Sequence, residues 1–230
     1  MGIFRPFIGG VKTQEEFAYE DHRNDKPVTP ADLLTISRPI LAAQAAAMLI
    51  RGEKGAFPLF AIAAATDMEG KLARLIDKCL PGMGYGATEH GAPWDTYADA
   101  SALLIIGAAT MRAPRVNLAG KAAMGMILGQ EGLKAGWALY RNAQYSEVSG
   151  ERLSLPASAA GKEAMAEKLA GAGLAVAIND TDNPALRTGL GVGALYFAGS
   201  GAIRGEQARR EYEPLIDRMM AEAEYHQDRI

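Results

Sequence analysis

Apolar stretches recur along the chain between shorter polar connections that contain Gly, Pro or charged residues. None of them alternates apolar and polar residues with the two-residue period of a β-strand. Each is about 15 to 20 residues long, close to the length that an α-helix needs to cross a bilayer. The pattern therefore predicts an all-α protein with six helices. These cover residues 33–50, 55–69, 95–112, 119–138, 162–178 and 188–204.

Charged residues within these stretches leave two architectures open. An ordinary membrane-spanning helix avoids charges at its centre, yet Arg38 lies in the first stretch, and only Thr188 to Ile203 is free of charge throughout. A polytopic membrane protein is one interpretation, and an alanine-rich soluble helical bundle is the other. The charges of the fourth and fifth stretches are Glu131, Lys134, Glu163, Glu167 and Lys168.

The distribution of basic residues favours a particular topology if the protein spans a membrane. With the N-terminal segment, Met1 to Asp32, inside the cell, the connections on its side hold most of the 24 Lys and Arg residues, as the positive-inside rule requires. The segment lacks the basic start and apolar stretch of a signal peptide, so we expect it to stay in the cytoplasm. Small residues at helical spacing, such as Gly189 and Gly193 or Ala42 and Ala46, suit close helix packing in lipid.

Composition narrows the range of partners. The net charge is -3 and the basic residues are scattered, so the chain offers no basic field to a nucleic acid. The single cysteine, Cys79, cannot form an intrachain disulfide, and no Cys/His cluster has the spacing of zinc ligands. No Pro/Ser-rich or charged linker divides the 230 residues, which predicts one domain.

Four acidic residues lie where the second stretch ends and the third begins. Asp95 and Asp99 are four residues apart, so a helix places both on one face. Their like charges repel each other, whereas a divalent cation would turn the pair into a site of oxygen ligands. A helical hairpin would bring Asp67 and Glu69 opposite Asp95. The alternative is that all four are solvated charges at helix ends.

The residues around these acids resemble the signature of the CDP-alcohol phosphatidyltransferase family. That signature is Asp, two residues, Asp-Gly, two residues, Ala-Arg, then a gap, and then Gly, Asp and Asp, with three residues between each pair. The chain matches it at Gly70, Ala73, Arg74, Gly91, Asp95 and Asp99.

Three departures from the signature accompany this match. Glu69 stands at the second aspartate, and Thr66 stands at the first unless a one-residue deletion lets Asp67 take that role. The gap between Arg74 and Gly91 is 16 residues, longer than is usual in the family.

Other parts of the chain extend the resemblance over Thr29 to Arg210. Thr29 to Pro39 is similar to the family's entry into its first helix. Ile127 to Glu131 is similar to a segment of the phosphatidylglycerophosphate synthase branch, and Gly161-Lys162 to the start of a Gly-Lys segment. The resemblance divides the chain into an N-terminal cytoplasmic segment, 1–28, a membrane domain, 29–210, and a charged tail, 211–230.

The resemblance implies a multi-pass enzyme of the cell membrane with its active site on the cytoplasmic side. Such enzymes transfer a phosphatidyl group from CDP-diacylglycerol, or another CDP-alcohol, to a small alcohol such as glycerol 3-phosphate. They release CMP, take part in phospholipid biosynthesis, require Mg²⁺ or Mn²⁺, and are commonly homodimers. The altered signature leaves a second interpretation open, in which the protein keeps the fold without catalysis.

The family also implies a role for each matched residue. Asp67, Glu69, Asp95 and Asp99 would hold the metal, and Asp99 would act as general base. The remaining residues would bind substrate: Gly70, Ala73 and Gly91 by letting the nucleotide approach, Arg74 and Thr35 by holding phosphate or cytidine, and Lys162 by holding the acceptor phosphate. Arg141 and Arg152 are further candidates for that last role.

Overall fold

The computed structural model of this chain describes residues 30–65, 91–151, 153 and 158–227. Side chains at 30–32, 91–96 and 226–227 lie outside the description. Within these ranges the regular structure is entirely α-helical, which confirms the predicted all-α class. The helices are α1 (Pro30–Arg51), α2 (Ala56–Ala65), α3 (Gly91–Arg112), α4 (Leu118–Ser149), α5 (Ala159–Asp180) and α6 (Pro184–Gln227).

The chain forms two compact units. The first comprises Met1–Leu41 and Ile62–Ala102, and the second comprises Ala42–Ala61 and Leu103–Ile230. In the second unit α5 packs against α6, and α4 packs against both. Because only Thr181 to Asn183 separate α5 from α6, those two helices form an antiparallel hairpin.

Polar side chains fix where the helices of the second unit begin. The Asn117 side chain accepts a hydrogen bond from the Gly120 amide at the start of α4, and Ser158 does the same for Gly161 at the start of α5. The Asp180 carboxylate accepts from the amides of Ala56 and Phe57, the first residues of α2. These groups satisfy amides that a helix start leaves without an internal partner.

Two helices continue well past the apolar stretches that predicted them. α4 ends at Ser149 rather than near 138, and α6 runs to Gln227 rather than ending near 204. The charged C-terminal part is the continuation of α6 and buries Ala208 and Ile216. The division into the segments 1–28, 29–210 and 211–230 stays a prediction.

The core of the second unit is built largely from small residues. Ala172, Ala175, Ala194 and Ala198 are almost completely buried between α5 and α6. A Cβ at Gly171 would lie 3.2 Å from both the Ala194 oxygen and the Ala198 nitrogen, so the backbones of the two helices approach closely there. Of the two glycines singled out in sequence, a Cβ at Gly193 would lie 3.0 Å from Leu174 Cδ1, whereas one at Gly189 would meet nothing within 4 Å. Close helix packing in lipid stays a prediction.

Charged residues within the fourth and fifth apolar stretches form ion pairs between helices of the second unit. Lys168 Nζ of α5 lies 2.6 Å from Glu131 Oε1 of α4, and the Lys168 side chain is 4% exposed. Arg204 Nη1 of α6 lies 2.7 Å from Glu163 Oε2, and its Nε lies 3.7 Å from Glu167 Oε1. These acidic and basic residues of α4, α5 and α6 thus compensate each other.

Of the described helices, the one over Leu33–Arg51 is long and apolar enough to cross a membrane by length and composition. α2 is apolar but shorter, at 10 residues.

The glycine contact between α5 and α6 gives a first prediction. Gly171→Ala should lower the free energy of unfolding by about 1–3 kcal/mol, because the added methyl group meets backbone atoms that cannot rotate away. Gly136→Ala on α4 is the matched control, since its Cβ would meet nothing within 4 Å. It should be neutral or stabilising by about 0.5–1 kcal/mol. Denaturant unfolding measures both, and equal effects would contradict the close approach.

The Lys168–Glu131 pair gives a second prediction. Lys168→Met should destabilise the protein by about 2–3 kcal/mol, because it removes the closer cation from a partly buried carboxylate and leaves the exposed Lys134, whose Nζ lies 3.8 Å from Glu131 Oε2. The double variant Lys168→Met/Glu131→Met should recover most of that loss, since apolar side chains of similar volume replace both charges. Thermal unfolding of the two variants and the parent protein tests this. A double variant less stable than the single one would contradict it.

Candidate functional site

Asp95 and Asp99 lie on one helix, as their four-residue spacing predicts. α3 begins at Gly91, and Asp95 and Asp99 lie one turn apart within it. Gly91 is the first residue of α3 and has no side chain. The family signature also has glycine at this position. Asp99 is half-buried.

Asp99 forms an ion pair with Arg38 across the first unit. Arg38 Nη1 of α1 contacts Asp99 Oδ1 of α3. The Arg38 side chain is 4% exposed and that of Asp99 is 24% exposed, so the pair is largely removed from solvent. Because a guanidinium presents its donors in a fixed plane, the contact restrains the orientation of the carboxylate.

Sequence reasoning missed Arg38 as a partner of the candidate base. In sequence Arg38 is only a charge in the first apolar stretch and a part of the family's helix entry. The usable signal is that a charged residue within an apolar helix requires an opposite charge nearby. That signal predicts a partner but not which acid it is, because Asp99 lies 61 residues further along the chain.

Thr35 lies one turn before Arg38 on α1 and is 3% exposed. Two such buried polar groups, three residues apart, share one side of the helix. α1 therefore brings Thr35 and Arg38 to the side that faces into the first unit, where Arg38 meets Asp99.

The cations predicted to hold the acceptor phosphate belong to the second unit. Lys162 is exposed in the first turn of α5. Arg141 donates a hydrogen bond to Gln144 at 3.0 Å and forms an ion pair with Asp217 of α6, so it links α4 to α6. Arg152 lies outside the described residues.

Several predicted site residues also fall outside the description. Asp95 is described by its backbone alone, and Asp67, Glu69, Gly70, Ala73 and Arg74 lie in the segment 66–90. The donor chemistry of the predicted ligand set fits Mg²⁺ or Mn²⁺, because all four groups are carboxylates. Across the residues that the structure does describe, no group of three or more His, Cys, Asp or Glu could hold a metal ion.

Comparison of the chain with protein-family models, with curated proteins and with solved structures gives no match.

The Arg38–Asp99 pair gives a third prediction. Arg38→Met should lower the free energy of unfolding by about 2–3 kcal/mol, because it removes the guanidinium from a largely buried carboxylate. Arg38→Lys should cost less, since it keeps the charge but loses the planar fork. The control is Arg51→Met, which removes an exposed pair with Glu53 and should cost below about 1 kcal/mol. Equal losses for Arg38→Met and Arg51→Met, measured by denaturant unfolding of the purified variants, would contradict a buried pair.

Proposed function

We propose that this protein is a CDP-alcohol phosphatidyltransferase. It moves a phosphatidyl group from CDP-diacylglycerol, or another CDP-alcohol, to a small alcohol and releases CMP. Glycerol 3-phosphate is the preferred acceptor in this proposal, because Ile127 to Glu131 is similar to the phosphatidylglycerophosphate synthase branch. The observation that carries the proposal is the second half of the signature. Its Gly91, Asp95 and Asp99 open one helix at the family's spacing.

The reaction joins an alcohol oxygen to the phosphorus that bears the lipid and breaks the bond from that phosphorus to the oxygen of CMP. A divalent cation held by Asp67, Glu69, Asp95 and Asp99 would neutralise the pyrophosphate charge when bound. In this proposal Asp99 accepts the proton of the attacking hydroxyl. A carboxylate is a weak base, so its placement contributes much of the effect.

Arg38 restrains the carboxylate that this proposal makes the reacting group. A general base must present its oxygen in a defined direction, and the buried guanidinium limits how the Asp99 side chain can turn. Thr35, one turn from Arg38, is buried on the same helix and is a candidate contact for nucleotide or phosphate.

The proposed location is the cell membrane, with the active site on the cytoplasmic side and a homodimer as the assembled form. The pairing of Lys168 with Glu131, and of Arg204 with Glu163, supports insertion, because paired charges are less costly in lipid than isolated ones. Large apolar side chains that project outward from α6 support it as well. These are Leu186, Val192, Tyr196 and Ile203.

A second candidate function is a non-catalytic protein of the same fold. The departures at Thr66 and Glu69 favour it, since both positions are metal ligands in the resemblance. Titration with Mn²⁺ in the presence of CDP-diacylglycerol separates the two candidates. Tight binding together with CMP release supports the enzyme, whereas a folded protein that binds no metal supports the non-catalytic candidate.

The fourth prediction concerns Asp99. Asp99→Asn should lower the rate of CMP release at least about 100-fold, because the amide cannot accept the hydroxyl proton. The assay uses detergent-purified protein, CDP-diacylglycerol, Mg²⁺ or Mn²⁺, and glycerol 3-phosphate, serine or inositol phosphate as acceptor.

Glu147→Gln is the control for this experiment, since Glu147 is an exposed acid on α4. It should release CMP at the parent rate. Asp99→Asn also removes the ion pair with Arg38, so the assay is run where the variant is shown to be folded. An unchanged rate under those conditions would remove Asp99 from the reaction.

A further inference from the structure

Three connections of the second unit converge at one end of its helices. They are residues 52–55 between α1 and α2, 113–117 between α3 and α4, and 181–183 between α5 and α6. Asn179 at the end of α5 donates to the Glu53 oxygen at 2.6 Å, and Arg115 Nε donates to the Asn179 oxygen at 2.9 Å. The side chain of Asp182 forms ion pairs with both Lys54 and Arg115. Hydrogen bonds and ion pairs therefore join all three connections to one another.

This end of the unit is strongly basic although the whole chain is acidic. Six basic and three acidic residues lie within one helical turn of the connections, a net charge of +3 against -3 for the chain. The acids are Glu53, Asp180 and Asp182. The basic residues form what we call the cationic end: Arg51, Lys54, Arg112, Arg115, Lys121 and Arg187.

The outward-facing members of the cationic end reach solvent, although two of them, Arg51 and Lys54, also form ion pairs with Glu53 and Asp182. Arg51 and Lys54 have side chains that are 63% and 54% exposed, and Arg112 is exposed as well. Arg115 and Arg187 instead hold the connections together, since Arg187 donates to the Arg115 carbonyl. Hydrogen bonds from Lys54 and Arg115 hold the pKa of the Asp182 carboxyl below its usual range.

Exposed apolar side chains accompany the basic ones on the helices that meet here. Ile50 precedes Arg51, Met111 precedes Arg112, and Leu186 precedes Arg187. Phe57 and Leu118 stand in the first turns of α2 and α4 beside Lys54 and Lys121. The exposed fractions of these five apolar residues, Ile50, Phe57, Met111, Leu118 and Leu186, lie between 40% and 82%.

Apolar side chains next to basic side chains match the layering of a phospholipid surface. The apolar groups can enter the acyl region, while Lys and Arg extend to the phosphates above it. A second copy of this chain is a poor occupant, because two ends of charge +3 would repel each other. Scattered single apolar residues would need no explanation, but here they recur at five of the helix termini that border the connections.

We propose that the cationic end binds the phosphate groups of anionic phospholipids at the non-cytoplasmic face of the bilayer, the side on which the proposed topology places these three connections. The surface prefers anionic over zwitterionic head groups because each basic side chain near an anionic surface is attracted to it. This inference rests on the membrane location within the proposed function and is independent of the transferase chemistry.

Spin-labelled lipids test the proposal with the full chain reconstituted in phosphatidylcholine bilayers. The fraction of label immobilised by the protein is compared between phosphatidylglycerol and phosphatidylcholine. The parent protein should retain phosphatidylglycerol at least about threefold more strongly. The triple variant Arg51→Gln/Lys54→Gln/Arg112→Gln should bring this ratio close to one, since it removes the exposed basic side chains of the cationic end.

The matched control is Lys134→Gln/Arg210→Gln/Arg218→Gln, which removes three exposed basic residues elsewhere in the second unit. It changes the net charge equally and should keep the parent preference. Equal loss in both triple variants would overturn the proposal by showing a general charge effect. Displacement of phosphatidylglycerol by inorganic phosphate, but not by chloride at equal ionic strength, would overturn it by identifying a site for small anions.

Two further outcomes separate this proposal from the transferase. Lipid preference without CMP release would support the cationic end while contradicting the proposed reaction. CMP release by a parent protein that shows no lipid preference would overturn the cationic end alone. Recovery of the protein in water without detergent, with no association with vesicles, would overturn the lipid surface.

Discussion

The structure depends on the pairing of charges that lie within otherwise apolar helices. Lys168 is almost fully buried, so α4 must be placed where Glu131 can meet its ammonium group. A Cβ at Gly201 of α6 would lie 3.0 Å from Lys168 Cγ, so a small residue there leaves room for the aliphatic stem. In the first unit Arg38 imposes the same demand on Asp99. The register between helices follows from these pairs as much as from apolar contact.

Most of the fold could be predicted from hydropathy, because helices with an apolar side leave a periodic pattern. The predicted starts of α4 near 119 and of α5 near 162 lie within three residues of the observed Leu118 and Ala159. The ends of α4 and α6 could not be predicted in this way, because an apolar window stops where polar residues begin. Backbone hydrogen bonding does not stop there, and pairs such as Arg209 with Glu206 and Glu213 support the later turns of α6.

The candidate site was predictable only where its residues are neighbours in sequence. The spacing of Asp95 and Asp99 alone fixes their relation on a helix, whatever the helix packs against. The partnership of Arg38 and Asp99 is a matter of tertiary packing, and spacing carries no information about it. In sequence, the basic residues of the cationic end also resemble ordinary loop charges. They come together only in the folded unit, where α1, α3 and α5 all end at the same side.

Paired charges also explain why α4, α5 and α6 are ambiguous in sequence. A hydropathy window counts Glu131 and Lys168 as two separate penalties, although in the folded protein they form an ion pair, with Lys134 Nζ 3.8 Å from the second carboxylate oxygen of Glu131. The stretch of α6 from Thr188 to Ile203 carries no charge, and at 1.5 Å per residue its 16 residues span about 24 Å. That length is shorter than the roughly 30 Å of a bilayer core, but long basic side chains can reach the interface from within. Arg187 and Arg204, which bound this stretch, already have partners within the unit, since Arg187 donates to the Arg115 carbonyl and Arg204 pairs with Glu163. The proposed membrane location therefore depends on the helices inserting as a packed group, because each one alone would expose a charge to lipid that its neighbours neutralise.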